Sequence, residues 1–320
     1  MSLDCEGKWG MADHLSLHHA TVITNRNLAR VYSELLRAFE RRKLRVTFAF
    51  VGAFTMEPEE YRAHPDLFGD SEASSCWLRV FRQDQRRGVL DGWSAPELLR
   101  MVVSGGQHEI GSHGFSHLPF DEARTPSADA QRELDAVVWL WARKGLEART
   151  LVYPRNQVGY SRLLKPSGYI GYRDTLPAKA ALGGKFRALA REANIFSRSQ
   201  EHSRHPDPDM PVAIPPGFFL NWRFGIRRRI PAAVTLTRWK HVLDHAAESG
   251  GVALVWTHPH NFIDGEGQLE LFEAVLDHAA GLIHRELMVN CTQSEYADAV
   301  LRRRGIEAHE PAQVVSGGIQ

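Results

Sequence analysis

The chain has 320 residues, 43% of them hydrophobic, which is enough for a sizeable core in one large α/β domain or two smaller ones. Lys and Arg together number 39 against 38 Asp and Glu, and this balance of +1 excludes bulk attraction to a nucleic-acid polymer or an anionic membrane. No apolar run approaches the roughly 18 residues of a membrane span. There is no basic-then-apolar start of the signal-peptide kind, and Cys5, Cys76 and Cys291 are too few and too far apart for a disulfide framework, so a cytoplasmic setting is expected.

Taken in order, Met1–Cys5 reads as a very short strand. Asn25 or Asn27 could cap a helix running to about Lys43, with Leu28, Val31, Leu35, Leu36 and Phe39 on one face. Arg45–Phe54 is rich in β-branched and aromatic residues and too apolar for a one-sided strand, so it reads as a buried parallel strand. Glu57–Gly92 is polar and punctuated by Pro and Gly, an excursion over the sheet. Ser94-Ala95-Pro96-Glu97 has the spacing of a capping box, and its helix should stop at Gly105-Gly106.

The pattern then repeats. Strands are expected at His108–Gly111, Thr150–Tyr153, Tyr169–Tyr172, Val252–Thr257 and Leu287–Asn290. Helices are expected near Ser127–Lys144, Val158–Lys165, Leu236–Ser249, Gln268–Arg285 and Ser294–Arg304. Strands alternating with helices imply parallel strands joined by crossovers. With no linker that separates two cores, the reading is one domain over 1–306, insertions at 57–92 and 174–235, and a loosely held tail at 307–320.

Chemistry-bearing residues collect at the carboxyl ends of these strands, where parallel α/β folds place their sites. Asp4 and Glu6 follow the first strand, and His113 and His117 the third. Tyr153-Pro154-Arg155-Asn156 follows the fourth, and His258 with His260 follows Val252–Thr257. Histidines four apart can share one side of a helical turn, and neutral imidazoles bind zinc, cobalt, nickel or iron, with a carboxylate completing a three-ligand set. Two polar residues at a helix start would have the same spacing. The protease motif is excluded, because Gly114 stands where that motif has its Glu base. Asp4 and Glu6 are two apart, and a turn at Gly7 could aim both at one site.

Asp4-x-Glu6, Ser112-His113-x-x-x-His117, Tyr153-Pro154-Arg155-Asn156 and Val255-Trp256-Thr257-His258 occur in that order. Together they resemble the motif series of the polysaccharide deacetylases, the NodB-homology or carbohydrate esterase family 4 group, over roughly Met1 to Tyr296. The resemblance implies a distorted (β/α) barrel of about seven parallel strands and a divalent metal, most often zinc. Carried over, Glu6, His113 and His117 are the metal ligands. Asp4 is the general base and His258 the general acid, with Arg155 as the ion-pair partner of Asp4 and Asp174 as the group that orients His258. The first motif departs from the usual adjacent Asp pair, so the roles of Asp4 and Glu6 could be exchanged. In the third motif Arg155 follows Pro154 where the family has Arg before Pro.

Around these groups, Trp9, Tyr153, Asn156, Asn221, Trp222 and Arg223 are candidates for substrate binding, the last three from an aromatic-rich stretch that could stack on a sugar. The expected substrate is an amino sugar on a nucleotide or lipid carrier, with loss of an acyl group by hydrolysis. A hydrolase of a non-sugar amide, a non-haem iron oxygenase and a catalytically silent glycan-binding module are the alternatives.

Overall fold

In the computed structural model the first strand is only four residues long, yet every one of them is buried, because it is paired on both sides, to the second strand and to the last. The structure describes residues 1–176, 193–203, 207 and 209–303. The expected tail at 307–320, the boundary at 306 and part of the 174–235 insertion lie outside them. Eight strands are described: β1 (Ser2–Cys5), β2 (Thr47–Phe50), β3 (Glu109–Ser112), β4 (Thr150–Val152), β5 (Gly171–Arg173), β6 (Val212–Ile214), β7 (Phe218–Phe219) and β8 (Val255–Thr257). Their order is β6-β5-β4-β3-β2-β1-β8-β7, and all pairs are parallel.

The two edges of this sheet are consecutive in the chain. Only Pro215-Pro216-Gly217 separates β6 from β7, and both run in the same direction, one paired to β5 and the other to β8. One bent segment therefore spans both edges and curls the sheet into a distorted (β/α) half-barrel. Its two prolines have no N–H for a ladder, which accounts for the break. This closing segment was expected to be irregular, and the strand expected at Leu287–Asn290 does not form. There, the Asn290 side chain takes the place of a ladder: its Oδ1 accepts the Arg45 amide (2.6 Å) and its Nδ2 donates to the Arg45 carbonyl (3.0 Å). Leu287 and Val289 consequently face solvent.

Six longer helices pack outside: α1 (Asn25–Arg41), α2 (Pro96–Ser104), α3 (Ser127–Arg143), α4 (Ala232–Ser249), α5 (Gln268–His284) and α6 (Gln293–Arg303). α1 buries Leu28, Val31, Tyr32, Leu35, Ala38 and Phe39, each large side chain contributing about 1.5–3 kcal/mol. Its cap is Thr24, which accepts from the Asn27 amide, while Asn25 is drawn away to Gly92 and Ser94. The expected Ser94–Glu97 capping box is not formed, because the Ser94 hydroxyl donates to the Met56 carbonyl. The expected helix near Val158–Lys165 shrinks to a single 3₁₀ turn, Ser161–Leu163.

At the amino end of the barrel, α6 begins against Glu109. That carboxylate accepts from Thr47, Thr150 and the Ser294 amide, so a negative charge sits at a helix N-terminus. The 57–92 stretch forms short helices whose undersides are aromatic. Tyr61, Trp77 and Phe81 are buried there, and Trp9 packs among Phe68, Phe81 and Trp93. Among the described residues no helix is long and apolar enough to cross a membrane.

Candidate active site

Because β1 alternates, Ser2 and Asp4 point into the barrel, where Arg173 reaches both, while Leu3 and Cys5 enter the hydrophobic core. The chain then turns at Gly7, whose φ is +50°, and brings Glu6 to the same mouth. Gly10 makes room for it. A Cβ on Gly10 would lie 2.1 Å from Glu6 Oε1, so only glycine lets the carboxylate settle there.

β3 delivers the histidines. His113 Nδ1 lies 2.7 Å from the Val152 carbonyl, which can only accept, so Nδ1 carries the proton and Nε2 presents its lone pair. The loop after it is left-handed at Gly114 (φ +74°) and His117 (φ +61°), and this returns the second imidazole to the first. Glu133 on α3 holds that loop: its carboxylate accepts from the Phe115 amide (2.9 Å), the Ser116 amide (2.8 Å) and the Ser116 hydroxyl (2.5 Å). Burial pushes the Glu133 carboxyl up to about 7, against the pull of those donors. Trp77 stacks on His117 from outside.

Three donor atoms meet at this point. Glu6 Oε2 is 2.9 Å from His117 Nε2 and 3.3 Å from His113 Nε2, and the two Nε2 atoms are 3.1 Å apart. Donors bound to one tetrahedral cation at metal–nitrogen lengths of 2.0–2.1 Å would be about 3.3 Å apart. Burial lowers His117 to about 4, so its imidazole is neutral. Against its burial, the neighbouring His258, His117 and His113 imidazoles hold the Glu6 carboxyl well below the usual carboxylate range. One carboxylate and two imidazoles, converging in a buried site, fit a divalent cation in donor type and spacing.

Asp4 is gripped by Arg173, Nη1 to Oδ1 at 2.8 Å and Nη2 to Oδ2 at 2.7 Å. Its burial opposes ionisation, yet the adjacent Arg173 charge brings the carboxyl below its ordinary value. Arg173 also donates to Asn156 Oδ1 (2.9 Å) and lies over the Trp256 ring. The ion-pair partner of Asp4 is therefore Arg173, not Arg155. Arg155 instead donates to Asp13 (2.6 Å) and to the Gly10 carbonyl, and covers Trp77. The strand expected at Tyr169–Tyr172 stops one residue short of this arginine. The available signal was a cation at the carboxyl end of a buried strand.

His258 stands at the end of β8, with Nε2 3.6 Å from Glu6 Oε1 and 3.9 Å from Asp4 Oδ2, and its side chain is 21% exposed towards the cleft. The expected pairing with Asp174 is not among the described contacts. The Asp174 carboxylate accepts the Thr175 amide, and His258 Nδ1 lies by Asn261 Nδ2. His260, seen at the strand end but given no role from sequence, stacks on His258 with ring centroids 5.0 Å apart.

A cleft of about 480 Å³ opens over these groups, walled by Asn156, Asp174, Phe218, Phe219, Trp222, Trp256 and the two histidines. Trp222 thus lies where expected, with its Nε1–H on Asp264. Four other candidates are placed differently. Trp9 is fully buried and donates to the Trp93 carbonyl. Tyr153 is buried against Phe120 and Tyr172. Asn221 is fully buried beneath the Arg227 segment. The Arg223 guanidinium is spent on the Glu266 and Ile230 carbonyls. These positions looked open in sequence because aromatic and amide residues serve cores and sugar sites alike.

Residues 23–158 match the family model described as polysaccharide deacetylase. This stretch holds His113 and His117, with Asp4, Glu6, Arg173 and His258 on either side of it. In fold the chain is similar to a crystal structure of a putative polysaccharide deacetylase from Mycobacterium smegmatis, at 15% identity and a TM-score of 0.56, covering 98% of this chain and 92% of that one. It is likewise similar to that of a probable polysaccharide deacetylase from Pseudomonas aeruginosa PAO1, at 14% identity and a TM-score of 0.56, covering 96% and 85%. None of the curated proteins matches. The resemblance drawn from the motifs thus meets a family-model match over the 136 residues 23–158 and a fold shared with these deacetylase structures.

Proposed function

Starting from its kinship with the polysaccharide deacetylases, which supports carbohydrate deacetylation, we propose that this protein is a metal-dependent amide hydrolase. It removes an N-acyl group, acetyl foremost, from an amino sugar of a glycan or glycan precursor. One observation carries the reading: Glu6, His113 and His117 converge on a single point beside an ionised Asp4 and a half-open His258. A bound cation, zinc in our reading and cobalt, nickel or iron by the same donor set, would polarise the acyl carbonyl and make water more acidic.

The protein's own groups supply the rest. Asp4, kept ionised by Arg173, takes a proton from the attacking water. His258, on the cleft side, donates one to the departing nitrogen, because an amine leaves readily only when protonated. Phe219, Trp222 and Trp256 offer ring faces on which a pyranose can stack. The products are a carboxylate and a free amino sugar. Unpaired Cys5, Cys76 and Cys291 suit a reducing compartment, which supports cytoplasmic work on a nucleotide-linked or lipid-linked sugar.

The test is carboxylate release from a panel of N-acylated amino sugars, free, nucleotide-linked and lipid-linked, with and without a chelator. The expected result is turnover that a chelator abolishes and added zinc restores. Binding of the sugars with no release would leave a silent glycan-binding module, and a His113→Ala protein with undiminished turnover would overturn the ligand assignment.

A further inference from the structure

Glu6 has two carboxylate oxygens, and the site described above uses only one of them. Oε2 faces His113 and His117. Oε1 faces the other way, 3.6 Å from His258 Nε2 and 4.0 Å from His260 Nδ1. These three donor atoms form a second convergent group, all within 4.8 Å of one another.

A second observation singles out His260. Its residue is only 7% exposed, and its Nδ1 is buried with no hydrogen-bond partner among the described residues. An unpaired ring nitrogen in such a place has lost its solvation with nothing in return. The atom is aimed at Glu6, and Trp222 lies edge-on to the ring.

We propose that Glu6 Oε1, His258 Nε2 and His260 Nδ1 form a second divalent-cation site that shares Glu6 with the first. Distances set the order of affinity. Donors on one tetrahedral ion stand about 3.3 Å apart, the spacing of the first group, whereas the 3.6 and 4.0 Å of the second require wider angles or longer bonds. The second site is therefore the weaker, and it fills only when cation is in excess. A bridging carboxylate would hold the two ions as in two-metal sites. Occupancy takes up the lone pair or proton of His258, so excess cation silences the enzyme. This last consequence rests on the proposed role of His258 as proton donor; the site itself does not.

Equilibrium dialysis of the protein against rising cobalt(II), with elemental analysis and the visible d–d spectrum, tests the site without any substrate. Two equivalents should bind in two separable steps, and the second should be lost in His260→Asn and in His260→Leu while the first persists. Both variants are to be compared with the parent by thermal melting, so that a misfolded protein is not counted. In His113→Ala the tight step should vanish and the weak one remain. A parent protein that saturates at one equivalent, or a His260 variant that still binds two, overturns the second site and leaves the proposed hydrolysis untouched. Binding of a second equivalent with no fall in turnover overturns the inhibitory consequence and, with it, the assignment of His258.

Discussion

Arg173 and Asp4 form a buried, doubly hydrogen-bonded ion pair, at 2.8 and 2.7 Å, between the first and fifth strands of the barrel. Both side chains are almost wholly excluded from water, so each charge is tolerated only because the other is there. Replacing Arg173 by Met should destabilise the fold by about 3–5 kcal/mol, the cost of an abandoned buried charge. It should also raise the Asp4 pKa, because its largest source of charge stabilisation is gone. Arg155→Ala, which breaks a half-exposed pair with Asp13, should cost about 0–1 kcal/mol. Denaturant unfolding of the two variants separates them; equal losses would refute the reassignment of the Asp4 partner.

Glu133 never touches the cleft, yet it fixes the loop that presents His117. Glu133→Ala leaves two amides and a hydroxyl without their acceptor. Cation affinity should fall about 10–100-fold, as for other groups that orient ligands, and Glu133→Gln, which keeps one acceptor oxygen, should recover most of it. Metal dialysis reads the effect directly. Unchanged affinity in the alanine variant would mean that the loop holds itself.

Gly10 is a steric condition for the site. Gly10→Ala would set a methyl 2.1 Å from Glu6 Oε1, with the carboxyl carbon at 2.4 Å. The carboxylate must move, so bound metal should be lost while the circular-dichroism spectrum stays native. Normal metal content in this variant would show that Glu6 can bind from another rotamer.

Stability without metal should depend on pH with a definite sign. Burial lowers His117 to about 4 and His260 to about 3 from the ordinary 6.5. Below 6.5 the unfolded chain takes up protons that the folded one refuses, so the unfolded state binds more of them. Stability is thus complete above 6.5 and declines as the pH falls towards about 4. Unfolding free energies of chelated protein across that window should show the slope, and His260→Asn should flatten it. A level profile in the parent would contradict the buried neutral imidazoles.

Alternation of helix and strand is a local property, and it led from the sequence to the parallel fold; strand-end placement then singled out Asp4, Glu6, His113, His117 and His258 as candidates. Such features survive in one dimension because each depends on neighbours within a few residues. Closure of the barrel did not survive. The break at Pro215-Pro216-Gly217 reads as loop until β5 and β8 are seen on its two sides.

The partner of Asp4 was likewise out of reach, since Arg173 is 169 residues away and is recognised only by where β5 ends. Trp9 and Asn221 looked like surface aromatics and amides, and only burial shows that packing claimed them. Residue types and spacing determined which chemistry the chain could carry. The tertiary structure decided which carboxylate oxygen faces which pair of histidines, because that depends on the packing of four strand ends against one another, and no spacing along the chain encodes it.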